Sequence, residues 1–430
     1  MQGTRDLDKE VRLPYGSTMI QITIPKENIA FILEPAQYPQ VTDVAKEIHR
    51  SLAQPIASQP IRELAKKSKR VVILADDLTR ITPVKQILPP LIAELHEAGL
   101  HNDNMKIIIA LGTHRRMTNG EIESKFGGDV QDSIRIENHD CHAKENLVQV
   151  QDSRSRYPIW INREFAESDL KIGLGNVQPH DCAGWSGGSK ILLPGIAGEE
   201  TTDLMHLIAG YIPPEKRLGI PENPVRVEMD SVAKKVGLDL IVNTVLNVQK
   251  QIVGLFFGNV VKAHRAAIQR AKPIFCPSIR ERADVVVVSS HPADLDYWQA
   301  MKGVAAGFQT LKKGGTMILV TPCPEGIAQP HPEFEKSGTL PLNEIKRRIR
   351  DKEFKDLAAA GLLMDHARFR ARFKLIFVSQ GLNDRMCEKL GVERMDTLEE
   401  AIAEERQARG GRMRMGFLTH SDLAPNLLSF

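Results

Sequence analysis

Two histidines, His114 and His180, each stand a few residues beyond a β-branched run, with glycines close by. Imidazole changes charge near pH 7, so a pair can take and return protons from two sides, as inversion at a carbon requires. One histidine after a strand is more often a plain rim residue, but two after separate strands shift that balance. From Gly184 to Lys190 the run GWSGGSK resembles a phosphate-cradling loop. Its order departs from G-x-x-x-x-G-K-[ST], which argues against an ordinary nucleoside-triphosphate site. A lysine at the end of bare backbone suits covalent attachment to a cofactor, the alternative being a surface lysine that closes a turn. His206 lies in EETTDLMHLIA, a helical pattern that Thr201 or Thr202 would cap; a lone helical histidine is usually structural. Gln299 and Lys302, spaced i, i+3, share a helix face, so an amide and a cation can meet one carboxylate or carbonyl oxygen, although chance explains any single such pair.

The elements that must position these groups are short apolar runs ending in polar or glycine-containing loops. They are VVILADD from Val71, KIIIALGTH from Lys106, DLKIGLGN from Asp169, DVVVVSSHP from Asp284, GTMILVTP from Gly315 and KLIFVSQG from Lys374. Continuous apolar strands alternating with amphipathic helices such as 88–98 predict parallel sheets covered on both faces. Such sheets bind ligands beyond the carboxyl ends of their strands. Asp76, Asp77 and Arg80, then Gly112 to Arg115, then Asn176 to Lys190, then His291 to Lys302 all follow strands and gather polar chemistry at one rim. The stretch LDLIVNTVLNVQKQIVGLFFG predicts two strands around Asn247 to Gln251, and a short helix over 261–271 precedes Pro273 and Pro277. The expected fold is therefore α/β, with two α/β domains of mainly parallel sheets over 1–271 and 272–430 and the active site at their interface. RGGRMRMG near the end matches none of these patterns.

Composition sets outer limits. With 57 Lys plus Arg against 54 Asp plus Glu in 430 residues, and no concentrated basic run, a nucleic-acid surface is disfavoured. The opening MQGTRDLDKE has no apolar stretch behind a basic start, and runs such as VVVV at 285–288 are too short to span a bilayer, which predicts a cytoplasmic protein without membrane segments. Five scattered cysteines without a C-x-x-C pair indicate neither a disulfide framework nor a thiolate zinc site.

Taken together, DDLTRITP (Asp76 to Pro83), GTHR (Gly112 to Arg115), QPHDCAGWSGGSKILLPGIAG (Gln178 to Gly198), the histidine of TTDLMH, the NPVRVEMD and VGLDLIVNTVLN stretches, and HPADLDYWQAMKG (His291 to Gly303) resemble the lactate racemase family over roughly residues 15 to 380. That resemblance implies a racemase or epimerase of a small 2-hydroxy acid that uses a nickel-pincer nucleotide, the pyridinium-3-thioamide-5-thiocarboxylic acid mononucleotide with nickel. By the same resemblance the nucleotide is tethered to Lys190 and lined by Asp77, Gly187 and Gly188, and His206 is the protein ligand to nickel. His114 and His180 would be the acid/base pair, Arg80 would hold the substrate carboxylate, and Gln299 with Lys302 would polarise the carbonyl of the intermediate. Cofactor-assembly enzymes would be obligatory partners.

One position departs from the family pattern: Trp298 stands where a tyrosine is expected before Gln299, which makes that wall bulkier and removes a hydroxyl. A larger hydroxy acid or sugar acid is thus an alternative substrate. Outside the family, a nicotinamide dehydrogenase lacks its G-x-G-x-x-G after a strand. Pyridoxal phosphate on Lys190 and a non-enzymatic binding protein are the other rivals.

Overall fold

The computed structural model describes residues 7–150 and 157–428. The first six residues, part of the opening inspected for a leader, lie outside the described residues.

An antiparallel hairpin of β1 (Asp8–Tyr15) and β2 (Thr18–Pro25) leads into β3 (Ile29–Leu33). Next come β4 (Val71–Asp76), β5 (Met105–Ala110) and β6 (Arg135–Asn138), the ribbon β7 (Leu147–Val150) with β8 (Ile159–Asn162), and β9 (Leu170–Asn176). A two-residue ribbon, β10 (Pro179–His180) with β11 (Gly184–Trp185), precedes β12 (Leu240–Leu246) and β13 (Ile252–Gly258). The remainder contributes β14 (Ser278–Ile279), β15 (Ala283–Ser289), β16 (Leu311–Val320), β17 (Lys374–Val378), β18 (Glu393–Met395), β19 (Met415–Leu418) and β20 (Asn426–Leu427).

The first six-stranded sheet has the order β13-β12-β9-β4-β5-β6 and is parallel except for β13; the second, β18-β17-β16-β15-β19-β3, is parallel throughout. Every residue of β4, β9 and β12 is buried, which explains why their sequences are apolar without alternation. Val285 to Val288 are fully buried in β15, each side chain contributing roughly 1.5–3 kcal/mol of burial, so this run is a central strand.

The start of the chain corrects the expected division. Residues 8–33 were assigned to the first unit, yet β3 pairs with β19, and Val11, Leu13, Ile22 and Ile24 pack on Val285, Val287 and Ile318. The hydrophobic faces of β1 to β3 are completed only by the second sheet. At the other side of the division, the helix expected over 261–271 runs Val260–Phe275 and carries Pro273 near its end, where the missing N–H removes one i→i−4 hydrogen bond, to the Gln269 carbonyl, shortly before the helix stops.

Two helices join the units. Glu199–Tyr211 crosses Leu357–Arg372 with Gly210 against Gly361, and a Cβ on either would strike the other helix's backbone, at Gly361 the carbonyl of His206. Thr201 and Thr202 lie inside the first of these helices rather than at its cap, which is Gly198. Thr201 Oγ1 instead accepts the Trp160 N–H at 2.9 Å and donates to the Pro158 carbonyl at 3.1 Å, tying the helix to β8. Among the described residues no helix is long and apolar enough to cross a membrane, and all five cysteines are free.

Candidate active site

The loop after β4 is braced from below. Lys125 Nζ pairs with Asp76 Oδ1 at 2.9 Å and donates to the carbonyls of Asp77 (2.6 Å) and Arg80 (3.0 Å), so DDLTR is held against the helix Asn119–Phe126. Asp77 then faces His114, which follows β5: Oδ2 lies 2.6 Å from His114 Nδ1, while Oδ1 accepts the Thr79 N–H (3.0 Å) and hydroxyl (2.5 Å). Burial would raise the Asp77 pKa, but the hydrogen bond and charge of His114, with Arg80 adding to them, hold it well below the usual carboxylate range. An ionised Asp77 fixes the His114 proton on Nδ1 and leaves Nε2 open as a base. The expectation that Asp77 lines a cofactor meets a carboxylate whose two oxygens are already engaged.

His180 sits on the β10–β11 ribbon, where Gly184 at φ +76° lies so close to Ile220 and Asn223 that no side chain fits. Its surroundings differ from those of His114. Only 12% of its side chain is exposed, against 38% for His114. His180 Nδ1 accepts the N–H of Cys182 (3.2 Å) and of Ala183 (3.4 Å), so its proton is on Nε2. Asp181 Oδ1 stands 3.0 Å away but makes no hydrogen bond. Burial, then the nearby charge of Lys190, press the His180 pKa well below its ordinary value despite Asp181.

The glycine loop is moulded by groups that carried no role in the sequence reading. The buried Arg226 guanidinium donates to the carbonyls of Ala183 (3.4 Å), Gly187 (3.1 Å) and Trp185, and Asn243 Oδ1 accepts the Gly188 N–H at 2.8 Å. His264 holds the Ser186 carbonyl at 2.8 Å, and a Cβ on Gly188 would come within 2.7 Å of its ring. Arg226 lies in the quoted NPVRVEMD stretch, but nothing in one sequence distinguishes it from a surface arginine of an amphipathic helix. Lys190 leaves this loop in a short 3-10 turn. Burial first, then the charges of Arg80, Lys302 and Arg226, push its amine down to about 7.

His206 Nδ1 lies 2.9 Å from the Thr202 carbonyl one turn back, which places the proton there and frees Nε2 as a lone-pair donor. Burial lowers its pKa to about 4, so the ring is neutral, the state a metal ligand needs.

From the second unit, the helix Tyr297–Phe308 is capped by Asp296 and presents Trp298, Gln299 and Lys302. Lys302 Nζ donates to Gln299 Oε1 at 2.5 Å, which leaves the Gln299 amide N–H groups for another acceptor. Burial, then Arg80, lower the Lys302 pKa to about 8. Arg80, Lys190 and Lys302 thus sense one another's charge from both units, an arrangement that an anion between them would relieve. Trp298 stacks flat on His331, with centroids 3.9 Å apart and planes at 9°, and Asp356 holds His331 at 2.7 Å. His331 went unnoticed in the sequence because it lies 33 positions downstream on a separate loop.

Residues 15–219 match the model of the lactate racemase N-terminal domain, and residues 279–419 that of the C-terminal domain. The lactate racemase of Thermoanaerobacterium thermosaccharolyticum is 31% identical over 382 residues, 87% of this chain and 88% of that one. The lactate racemase of Lactiplantibacillus plantarum is 29% identical over 407 residues, 94% and 96% of the two chains. The solved apoprotein of the T. thermosaccharolyticum enzyme superposes with a TM-score of 0.88, covering 98% of this chain and 100% of that one at 28% identity. A Thermotoga maritima protein shares the fold with a TM-score of 0.67 and 21% identity, over 87% of this chain and 99% of that one. With both domain models matched, in order and on the two halves that meet at the site, this α/β isomerase belongs to the lactate racemase family.

Proposed function

We propose that this enzyme interconverts the two enantiomers of lactate, or of a closely related 2-hydroxy acid, in the cytoplasm, with a nickel-pincer nucleotide supplied by cofactor-assembly enzymes. The observation that supports the reading is a pair of imidazoles, His114 beyond β5 held by Asp77 with Arg80 acting on that carboxylate, and His180 on β10 with Lys190 and Lys302 acting on its charge.

The chain's own residues fit that cofactor. Lys190 offers an amine that burial and neighbouring cations push down to about 7, His206 offers a neutral Nε2, and the bare backbone of Gly187 and Gly188 is kept open where side chains would clash. Bound there, the cofactor supplies an electrophilic carbon able to accept hydride from C2. Arg80 meets the substrate carboxylate with a planar fork, Lys302 and the Gln299 amide hold the C2 oxygen, and one imidazole takes the hydroxyl proton at Nε2. The opposite imidazole returns a proton to that oxygen on the other face, which gives the mirror image. Removing the C2 hydrogen as a proton instead would ask histidine to deprotonate a carbon far too weakly acidic for it.

The test follows the hydrogen. Lactate deuterated at C2, incubated with cofactor-loaded enzyme in ordinary water, is expected to racemise with its label retained. A label acquired by an imidazole nitrogen exchanges rapidly, so wash-out at the pace of racemisation would overturn the reading. The same assay on a panel of longer hydroxy acids and sugar acids tests whether the Trp298–His331 stack admits larger substrates. Replacing His206 by alanine is expected to lower bound nickel and activity together, measured by elemental analysis of the loaded protein; unchanged nickel would remove His206 from the ligand role.

A further inference from the structure

The two imidazoles differ in how they are backed. His114 already donates Nδ1–H to Asp77, whereas His180 turns Nδ1 to two backbone N–H groups although Asp181 Oδ1 lies 3.0 Å off. An imidazole protonated only on Nε2 has no lone pair there to receive a hydroxyl proton, and it cannot give that proton up without becoming imidazolate. In either role His180 must therefore carry a proton on Nδ1, and the backbone N–H groups of Cys182 and Ala183 cannot accept one.

Asp181 also feels, after His180 and Lys302, the charge of an arginine that belongs to a buried ion pair. Arg217, fully buried, donates through Nη2 to Asp365 Oδ2 on the helix Leu357–Arg372, whose Oδ1 accepts from Arg368 at 2.7 Å. The Arg217 Nε and Nη1 groups and Asp181 Oδ1 are left without hydrogen-bond partners, and Arg217 and Asp181 sense each other's charge. Buried ion pairs rarely add net stability, and three unsatisfied buried polar atoms add further cost. That cost is consistent with a requirement set by function.

We propose that Asp181 is a second positioning carboxylate, which accepts the Nδ1–H of His180 whenever that imidazole works, and that Arg217, braced across the domain interface by Asp365, keeps Asp181 ionised and in place. The proton balance is simple. Before His180 acts as a base its Nε2 proton leaves to solvent and one is taken up on Nδ1, where its hydrogen bond to Asp181 replaces the contacts with the Cys182 and Ala183 N–H groups; the hydroxyl proton then moves to the freed Nε2 and the Nδ1 proton stays on the ring. The site then contains two His–carboxylate dyads, one closed at rest (His114–Asp77) and one open (His180–Asp181). Besides Asp181, the charged or titratable groups bearing on His180 are Lys190 and Lys302, both of which oppose the imidazolium, so Asp181 is the counterion available to it.

The inference rests on the acid/base role proposed for His180. In cofactor-loaded enzyme, Asp181→Asn is expected to lower kcat by about 10²-fold while the substrate KM, the nickel content and the intact mass stay unchanged. Arg217→Met should reproduce that loss, Arg217→Lys should recover to within about fivefold of the parent because the charge remains, and the double variant Asp181→Asn/Arg217→Met should be no slower than Asp181→Asn alone. A kcat retained in Asp181→Asn, a change confined to KM, or losses that multiply in the double variant would each overturn the proposal. If Arg217→Met fails to fold, Asp181→Asn and Arg217→Lys still decide it. His180→Gln separates the two levels: an active His180→Gln enzyme removes the proposed role of His180, whereas an inactive one beside a fully active Asp181→Asn removes only the dyad.

Discussion

Lys190→Ala enzyme, produced alongside the cofactor-assembly enzymes, is expected to show the intact mass of the bare chain and no racemisation above background, whereas the parent carries an added mass and turns over. The loss should be the largest of any single substitution, because the other site residues act on a reaction that cannot start without the tether. Lys190→Arg should be equally inactive: it keeps the positive charge but offers no nucleophilic amine. An ordinary lysine near pH 7 has on the order of one amine in a few thousand unprotonated, whereas burial and three neighbouring cations bring Lys190 down to about 7, so that a far larger share is free base. The sign follows: attachment should speed up as pH rises through about 7 and then level off, rather than climbing towards 10. A Lys190→Ala protein that racemises at the parental rate would refute the tether.

The next largest effect is expected at the two histidines. His114→Gln and His180→Gln should each slow racemisation by about 10²- to 10⁴-fold, the range for a positioned general acid or base. Starting from either enantiomer, the loss in kcat/KM must be the same for a given variant, because the equilibrium constant, which is the ratio of the two kcat/KM values, does not change. Initial rates from both pure enantiomers check this. A fall of less than about tenfold would exclude that histidine from the role. Glutamine is chosen over alanine for His180 because an empty position would leave the buried Cys182 and Ala183 N–H groups without an acceptor, at a cost of about 1–3 kcal/mol each. Melting temperatures near the parent's would then separate lost chemistry from lost fold.

How much of this was legible in the sequence varied with the range of the interaction concerned. The strands at Val71, Lys106, Asp169, Asp284, Gly315 and Lys374 were legible because a strand buried on both faces needs an apolar run, whatever covers it. The edge and hairpin strands were not: β1 and β2 alternate polar and apolar residues against a partner that cannot be identified locally, and RGGRMRMG hides the start of β19, whose burial is supplied by β15 and β3. For the same reason the first three strands were assigned to the wrong side of the division at residue 271. At the site, residue types beyond strand ends pointed to His114, His180, Lys190 and the Gln299–Lys302 pair; in the fold Lys190 and Lys302 act on the charge of His180, Lys302 holds Gln299, and His114 sits on Asp77. The supporting groups were illegible. Arg226, Arg217 and His331 act through contacts 41, 148 and 33 positions away, and the contact of Asp77 with His114, 37 positions on, could not be seen either.

The closing of β3 on β19 also bears on how the chain is made. Leu33 and Thr419, which touch across that edge, lie 386 positions apart. On a ribosome, β4 to β13 emerge in nearly unbroken succession and can assemble the first sheet while synthesis continues. β1 and β2 can pair with each other, but β3 has no strand partner until almost the whole polypeptide has been released. For that interval an apolar strand with open hydrogen-bonding edges waits in an unfinished molecule, the kind of segment that pairs with a neighbouring chain or recruits a chaperone. Capture of β3 by β19 is then a late, long-range contact, one that cannot form until the shorter-range ones have had time to do so.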